Sequence, residues 1–136
     1  MTAVTKTLGT TLLALSTASA AFAGPPPRRC LDESQALVGE RAVVVDASFH
    51  APRKLHHVEP DLPVRQGATS VWLADVLVDQ QGKVREVWTL RGFNPPWPEF
   101  DAAAASAIRQ WTYEPAVVDG RPVPFCVPVS VKLNVR

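Results

Sequence analysis

The chain has 136 residues, with 14 Lys and Arg against 13 Asp and Glu, a formal net charge of +1, and apolar side chains at 46% of positions. That length holds a single folded domain. The near-balance of charge leaves no basic surface of the kind nucleic acid requires, so nucleic acid is not an expected partner.

Residues 1–23 read as a secretory signal peptide. Lys6 supplies a positive start, Leu8 to Ala20 is apolar and small, and Ala21-Phe22-Ala23 offers small-x-small before Gly24. The alternative is an uncleaved single-pass anchor in the inner membrane. Against it stand Gly9, Thr10, Thr11, Ser16, Thr17 and Ser19, which break the run well short of the ~20 apolar residues a span needs. Cleavage would place the chain in the periplasm. Residues 24–37 then form a short leader and N-terminal segment, opening with the stiff Gly24-Pro25-Pro26-Pro27. Within and just beyond it, Leu31 to Gly39 reads as a short helix with Asp32 as its cap, and Arg41 to Phe49 as strand-like around Val43, Val44 and Val45. The domain proper is expected over 38–136. Export to an oxidising compartment permits a bridge between Cys30 and Cys126, the only two cysteines. The alternative is two unpaired thiols held too far apart by the fold.

Ser70 to Asp79 is rich in strand formers and apolar on both parities, with Trp72, Ala74, Val76 and Val78 on one side and Leu73 and Leu77 on the other, which predicts a central strand. Gln80-Gln81-Gly82-Lys83 is a hairpin loop, and Val84 to Arg91 returns with an irregular apolar spacing that predicts a bulge. Asn94 to Pro98 ends that strand. Phe100, Ala104, Ala107, Ile108 and Trp111 then recur at helical spacing, with Glu99 and Asp101 at the start and Arg109 near the end, as the helix dipole favours. Asp119-Gly120 is a tight turn. From Val123 the odd positions are apolar and the even ones are Pro124, Cys126, Pro128, Ser130, Lys132, Asn134 and Arg136, so the last strand buries one face. Pro122, Pro124 and Pro128 share a parity, and their missing N–H groups all fall on one side of the strand, which marks that side as a sheet edge. The sum is an α+β domain of two layers, a small antiparallel sheet made of the hairpin plus the C-terminal strand, with one main helix packed on one face.

The side chains that carry chemistry do not assemble into a reaction centre. His56 and His57 are adjacent and point to opposite faces of an extended segment, so neither they nor His50 form a metal set, and no metal or cofactor is expected. Ser70, Ser106 and Ser130 lack a nucleophile setting, and Asp75 with Glu86 reads as a surface pair on facing strands. No enzyme is expected. Trp72, Trp88 and Trp111 read as packing residues. Trp97, among prolines, either covers the helix start or stands out as a surface anchor for a partner.

The run from Asp101 to Ala116, D-x-A-A-x-x-A-I-R-Q-W-x-Y-E-P-A, followed by D-G-x-P-V-P and a valine-rich strand, resembles the C-terminal domain of the TonB energy transducers. Arg53 to Pro63 (RKLHHVEPDLP) resembles that family's lead-in segment, and Val76 to Arg91 its first hairpin. The resemblance runs from about Val38 to Arg136. It implies a periplasmic protein-binding module tied to energy-coupled transport across the outer membrane, gripping the TonB box of a transporter along a sheet edge. On the last strand the proline stretch lacks donors, so the expected partner-binding residues, by strand addition, are Ser130, Lys132, Asn134 and Arg136. The motor proteins ExbB and ExbD become partners only if the N-terminus stays anchored. Two departures stand out: a single Pro-Pro-Pro in place of a long proline-rich reach, and only Val64 to Thr69 where typical members carry a longer, partly helical insert.

Overall fold

The computed structural model describes residues 28–62 and 69–134, the side chains of Thr69, Leu133 and Asn134 excepted; the expected signal peptide lies outside them. Its elements are α1 (Arg29–Val38), β1 (Val43–Val44), β2 (Lys54–His56), β3 (Thr69–Val78), β4 (Val84–Arg91), α2 (Pro98–Arg109), β5 (Thr112–Tyr113), β6 (Ala116–Val118), β7 (Arg121–Val123) and β8 (Phe125–Asn134). The main sheet has the order β1-β8-β3-β4, so β3 is central, as its two-sided apolar pattern predicts. β3 pairs antiparallel with β8 without a register shift, from Thr69 opposite Asn134 to Val78 opposite Phe125. The β3–β4 register shifts twice, where the spacing of the second strand predicts a bulge.

The hairpin turn is built by Asp79 and Gly82. The Asp79 carboxylate accepts the N–H groups of Gln81 and Lys83 at 2.9 and 3.0 Å, so a buried acid is satisfied by the turn it shapes. Gly82 sits at φ 83°, and a Cβ there would run into the Tyr113 carbonyl oxygen. That carbonyl belongs to β5, which the same loop helps to hold through Tyr113 N–H to Gly82 C=O at 2.8 Å.

α2 starts with a proline in its first turn and carries Glu99 and Asp101 there, then buries Phe100, Ala104, Ala107 and Ile108 on one face. Together with Trp72, Ala74, Val76 and Val78 of β3 and Phe125, Val127 and Val129 of β8, these side chains make the main core. Trp111 is expected on the helix, but the helix stops at Arg109. Trp111 lies just past the Gln110 cap and remains only 4% exposed, because its indole N–H donates to the Val58 carbonyl at 2.8 Å and draws the lead-in segment over the core.

The opposite face of the sheet carries α1. This helix begins at Arg29, earlier than Leu31, so Asp32 is an acid of its first turn and not its cap; Gly39, at φ 77°, closes it. Cys30 and Cys126 are joined, with Cα atoms 6.1 Å apart, and both are fully buried. Around the bridge lie Ala42, Leu77 and Trp88, a second and smaller apolar cluster. Asp75 is not a surface residue. It is buried on this face and accepts the Arg28 guanidinium at 2.7 and 3.2 Å, while Glu86 pairs instead with Arg109 at 2.9 Å. The α+β, two-layer arrangement holds, with α1 adding a partial cover on the far side.

Candidate functional site

β8 is long enough to have different neighbours along its length. Its odd residues from Phe125 to Val131 face the core, and the strand is broken from β7 at Pro124. Pro122 therefore belongs to the β6–β7 hairpin, opposite Val117, and not to the long strand. Beside Phe125 and Cys126 the lane is taken by β1, which runs parallel: Val43 N–H donates to the Pro124 carbonyl at 3.0 Å and Val45 N–H to the Cys126 carbonyl at 3.1 Å. The sheet edge expected along the proline stretch is thus occupied by the chain itself, and by the one arrangement prolines allow, since they still offer carbonyls.

The carbonyls of Pro124 and Cys126 face this lane, so by strand alternation those of Pro128, Ser130 and Lys132 face it too, together with the N–H groups of Ser130, Lys132 and Asn134. Among the described residues no strand pairs with that stretch. Next to it lies a groove of about 520 Å³, bounded by Pro128, Ser130 and Lys132 on the strand side and by Lys54, His57 and Trp111 across from it. Ser130 and Lys132 are exposed on the strand. Asn134 is its last residue, opposite Thr69. Arg136 lies outside the described residues. Trp97 is not brought to the groove: it is half-buried over the first turn of α2, its ring 4.6 Å from that of Phe100.

The far wall of the groove is a set of contacts that sequence reading did not assemble. The Lys54 ammonium stands 3.5 Å above the Trp111 ring, and the His57 ring lies 4.6 Å from the same indole. Lys54 Nζ is 3.1 Å from His57 Nδ1, and His57 Nε2 is 2.7 Å from Glu59 Oε1. Burial holds the Lys54 amine below its usual basicity, against a smaller opposing pull from the Glu59 charge. The lead-in segment is placed there by pairing of Lys54 with Tyr113 across β2 and β5, and by Arg53 on Glu114 at 2.8 Å. Among the described residues no cluster of three or more His, Cys, Asp or Glu comes together, and no helix is long and apolar enough to cross a membrane.

The family profile described as the Gram-negative bacterial TonB protein C-terminal matches residues 60–134, more than half of the chain. Among solved structures, one reported as the molecular characterization of the TonB2 protein from Vibrio anguillarum is similar over 71% of this chain and 93% of that one, at 24% identity and a TM-score of 0.47. No curated protein matches. α1, β1 and the β2 lead-in all precede the matched residues.

Proposed function

Because the chain belongs to the TonB C-terminal domain family, we propose that it is a protein-binding module of the periplasm that receives an extended segment of a TonB-dependent outer-membrane transporter along Ser130, Lys132, Asn134 and Arg136. The observation that carries this reading is the outer side of β8 past Cys126, beside which no strand pairs among the described residues and where Ser130 and Lys132 keep both donor and acceptor toward the groove. Main-chain pairing supplies the affinity in such strand addition, and the alternate side chains supply selectivity. The work is binding and not catalysis: the nearest titratable groups, Lys54, His57 and Glu59, are engaged with one another and with Trp111.

The test is amide exchange with a synthetic peptide copied from the periplasm-facing N-terminal segment of such a transporter. Slowed exchange at Ser130, Lys132 and Asn134 is expected. Protection appearing elsewhere with these three unchanged would refute strand addition here. N-terminal sequencing of the exported protein addresses the anchoring: a start at Gly24 gives a free-standing module, and retention of the first residues gives an anchored transducer that engages ExbB and ExbD.

A further inference from the structure

Resting on that reading, we propose that the groove selects segments bearing a carboxylate side chain on the face turned toward Trp111, and that Lys54 is the residue that receives it. Lysine only donates, so the 3.1 Å contact requires His57 Nδ1 to accept, which leaves the imidazole proton on Nε2, donating to Glu59 at 2.7 Å. The Glu59 carboxylate is therefore engaged on the far side of the ring and not on the ammonium. Of the three N–H groups of Lys54, one goes to His57 and the ring face of Trp111 takes a second. The third has no protein acceptor among the described residues. The ammonium lies against the indole face and stays exposed to water on its other side, so an incoming carboxylate can reach the remaining N–H.

The lane fixes where such an anion must sit. Val127, Val129 and Val131 point to the core side of the sheet, the side on which Trp111 lies, whereas Pro128, Ser130 and Lys132 point to the other side and are exposed. A strand added beside them alternates in the same way. One parity of its side chains passes over Trp111 and Lys54, where the indole and His57 hold the ammonium in place; the other runs on the far face beside Lys132. The selectivity thus belongs to one parity and one lysine.

The probes are an extended synthetic peptide of alternating Thr and Val with one central Glu, and its Gln twin, with binding measured at low salt. The Glu peptide is expected to bind up to about five-fold tighter, the upper range for an exposed charge pair. Lys54→Met keeps the apolar stem on Trp111 and should erase the difference. Ser130→Pro should abolish binding of both peptides. Equal binding of the twins to the wild-type protein, with Ser130→Pro still abolishing it, would overturn the carboxylate selectivity and leave strand addition standing. Binding that Ser130→Pro does not change would overturn strand addition itself, and no binding of either peptide would overturn both.

Discussion

On one face of the sheet α2 lays Phe100, Ala104 and Ile108 against the side chains of β3 and β8, and beside that apolar stripe it is joined by Arg109 on Glu86 at 2.9 Å and by Asp101, which accepts the Phe93 N–H at 3.0 Å. On the other face α1 is fastened by the Cys30–Cys126 bridge, by Arg28 on Asp75, and by Ser34, whose hydroxyl accepts the Ala42 N–H at 2.9 Å. The apolar cluster beneath it is small, reducing to Leu77, Trp88, Ala42 and the two half-cystines. The difference shows two ways of covering a sheet. A helix with enough volume on one stripe docks chiefly by the hydrophobic effect, whereas one that buries only Cys30 and Ser34 leans on a covalent link and a buried charge pair. The first face falls within the family match, and α1 falls outside it.

Removing packing volume should break the first face outright. Trp111→Ala is expected to cost about 3 to 5 kcal/mol, the usual range for a truncated buried tryptophan, and to lower amide protection throughout β3 and β8. A denaturation midpoint close to that of the wild-type protein would show that the α2 face does not depend on it. Removing the covalent link acts next. Cys30→Ser with Cys126→Ser opens a loop of sequence separation 96 and should cost about 2 to 4 kcal/mol. Amide exchange should then show α1 losing more protection than β3, and equal losses in both would mean that the two faces are one cooperative unit.

A smaller effect is expected at the ion pair. Arg28→Met leaves the Asp75 carboxylate buried without its guanidinium, but Arg28 itself is partly open to water, so a loss of about 1 to 3 kcal/mol is expected by urea denaturation. Recovery of the loss in Arg28→Met with Asp75→Asn would identify the unpaired charge as its cause. The smallest effect concerns Tyr113, the only tyrosine of the chain, whose hydroxyl is pushed up to about 12 by burial. The unfolded chain ionises near 10, so the native state holds its proton more firmly. The stabilisation from this residue is complete below about pH 10 and is lost as pH rises from there through the folded value. Spectrophotometric titration of the native protein should give a tyrosinate midpoint near 12, and a midpoint near 10 would place the ring in water.

What could be read from the sequence divides along the same line as the two faces. β3, β4, α2 and β8 are long, and their periods of two and 3.6 are carried by many residues, so both location and buried side were legible. β1 has only two residues and pairs in parallel with a strand far along the chain, and so short a run has no period to read. Asp75 looked like a surface acid because alternation places it on the far face; its burial depends on Arg28, a partner no local pattern points to. The proline parity of the last strand marked residues without donors, but it did not show that β1 lies beside Phe125 and Cys126 or that Pro122 belongs to the β6–β7 hairpin. The wall made by Lys54, His57 and Trp111 joins residues more than fifty positions apart, brought together by the β2–β5 pairing and by the Trp111 indole on the Val58 carbonyl.

The bridge also fixes a mechanical path. Tension applied to the backbone ahead of Arg28, with a partner strand held at Ser130, passes through the sulfur atoms from Cys30 directly into β8, a few residues before the site of attachment. The segment of sequence separation 96 between the two cysteines is bypassed, so α2, the hairpin and the main core carry almost none of the load.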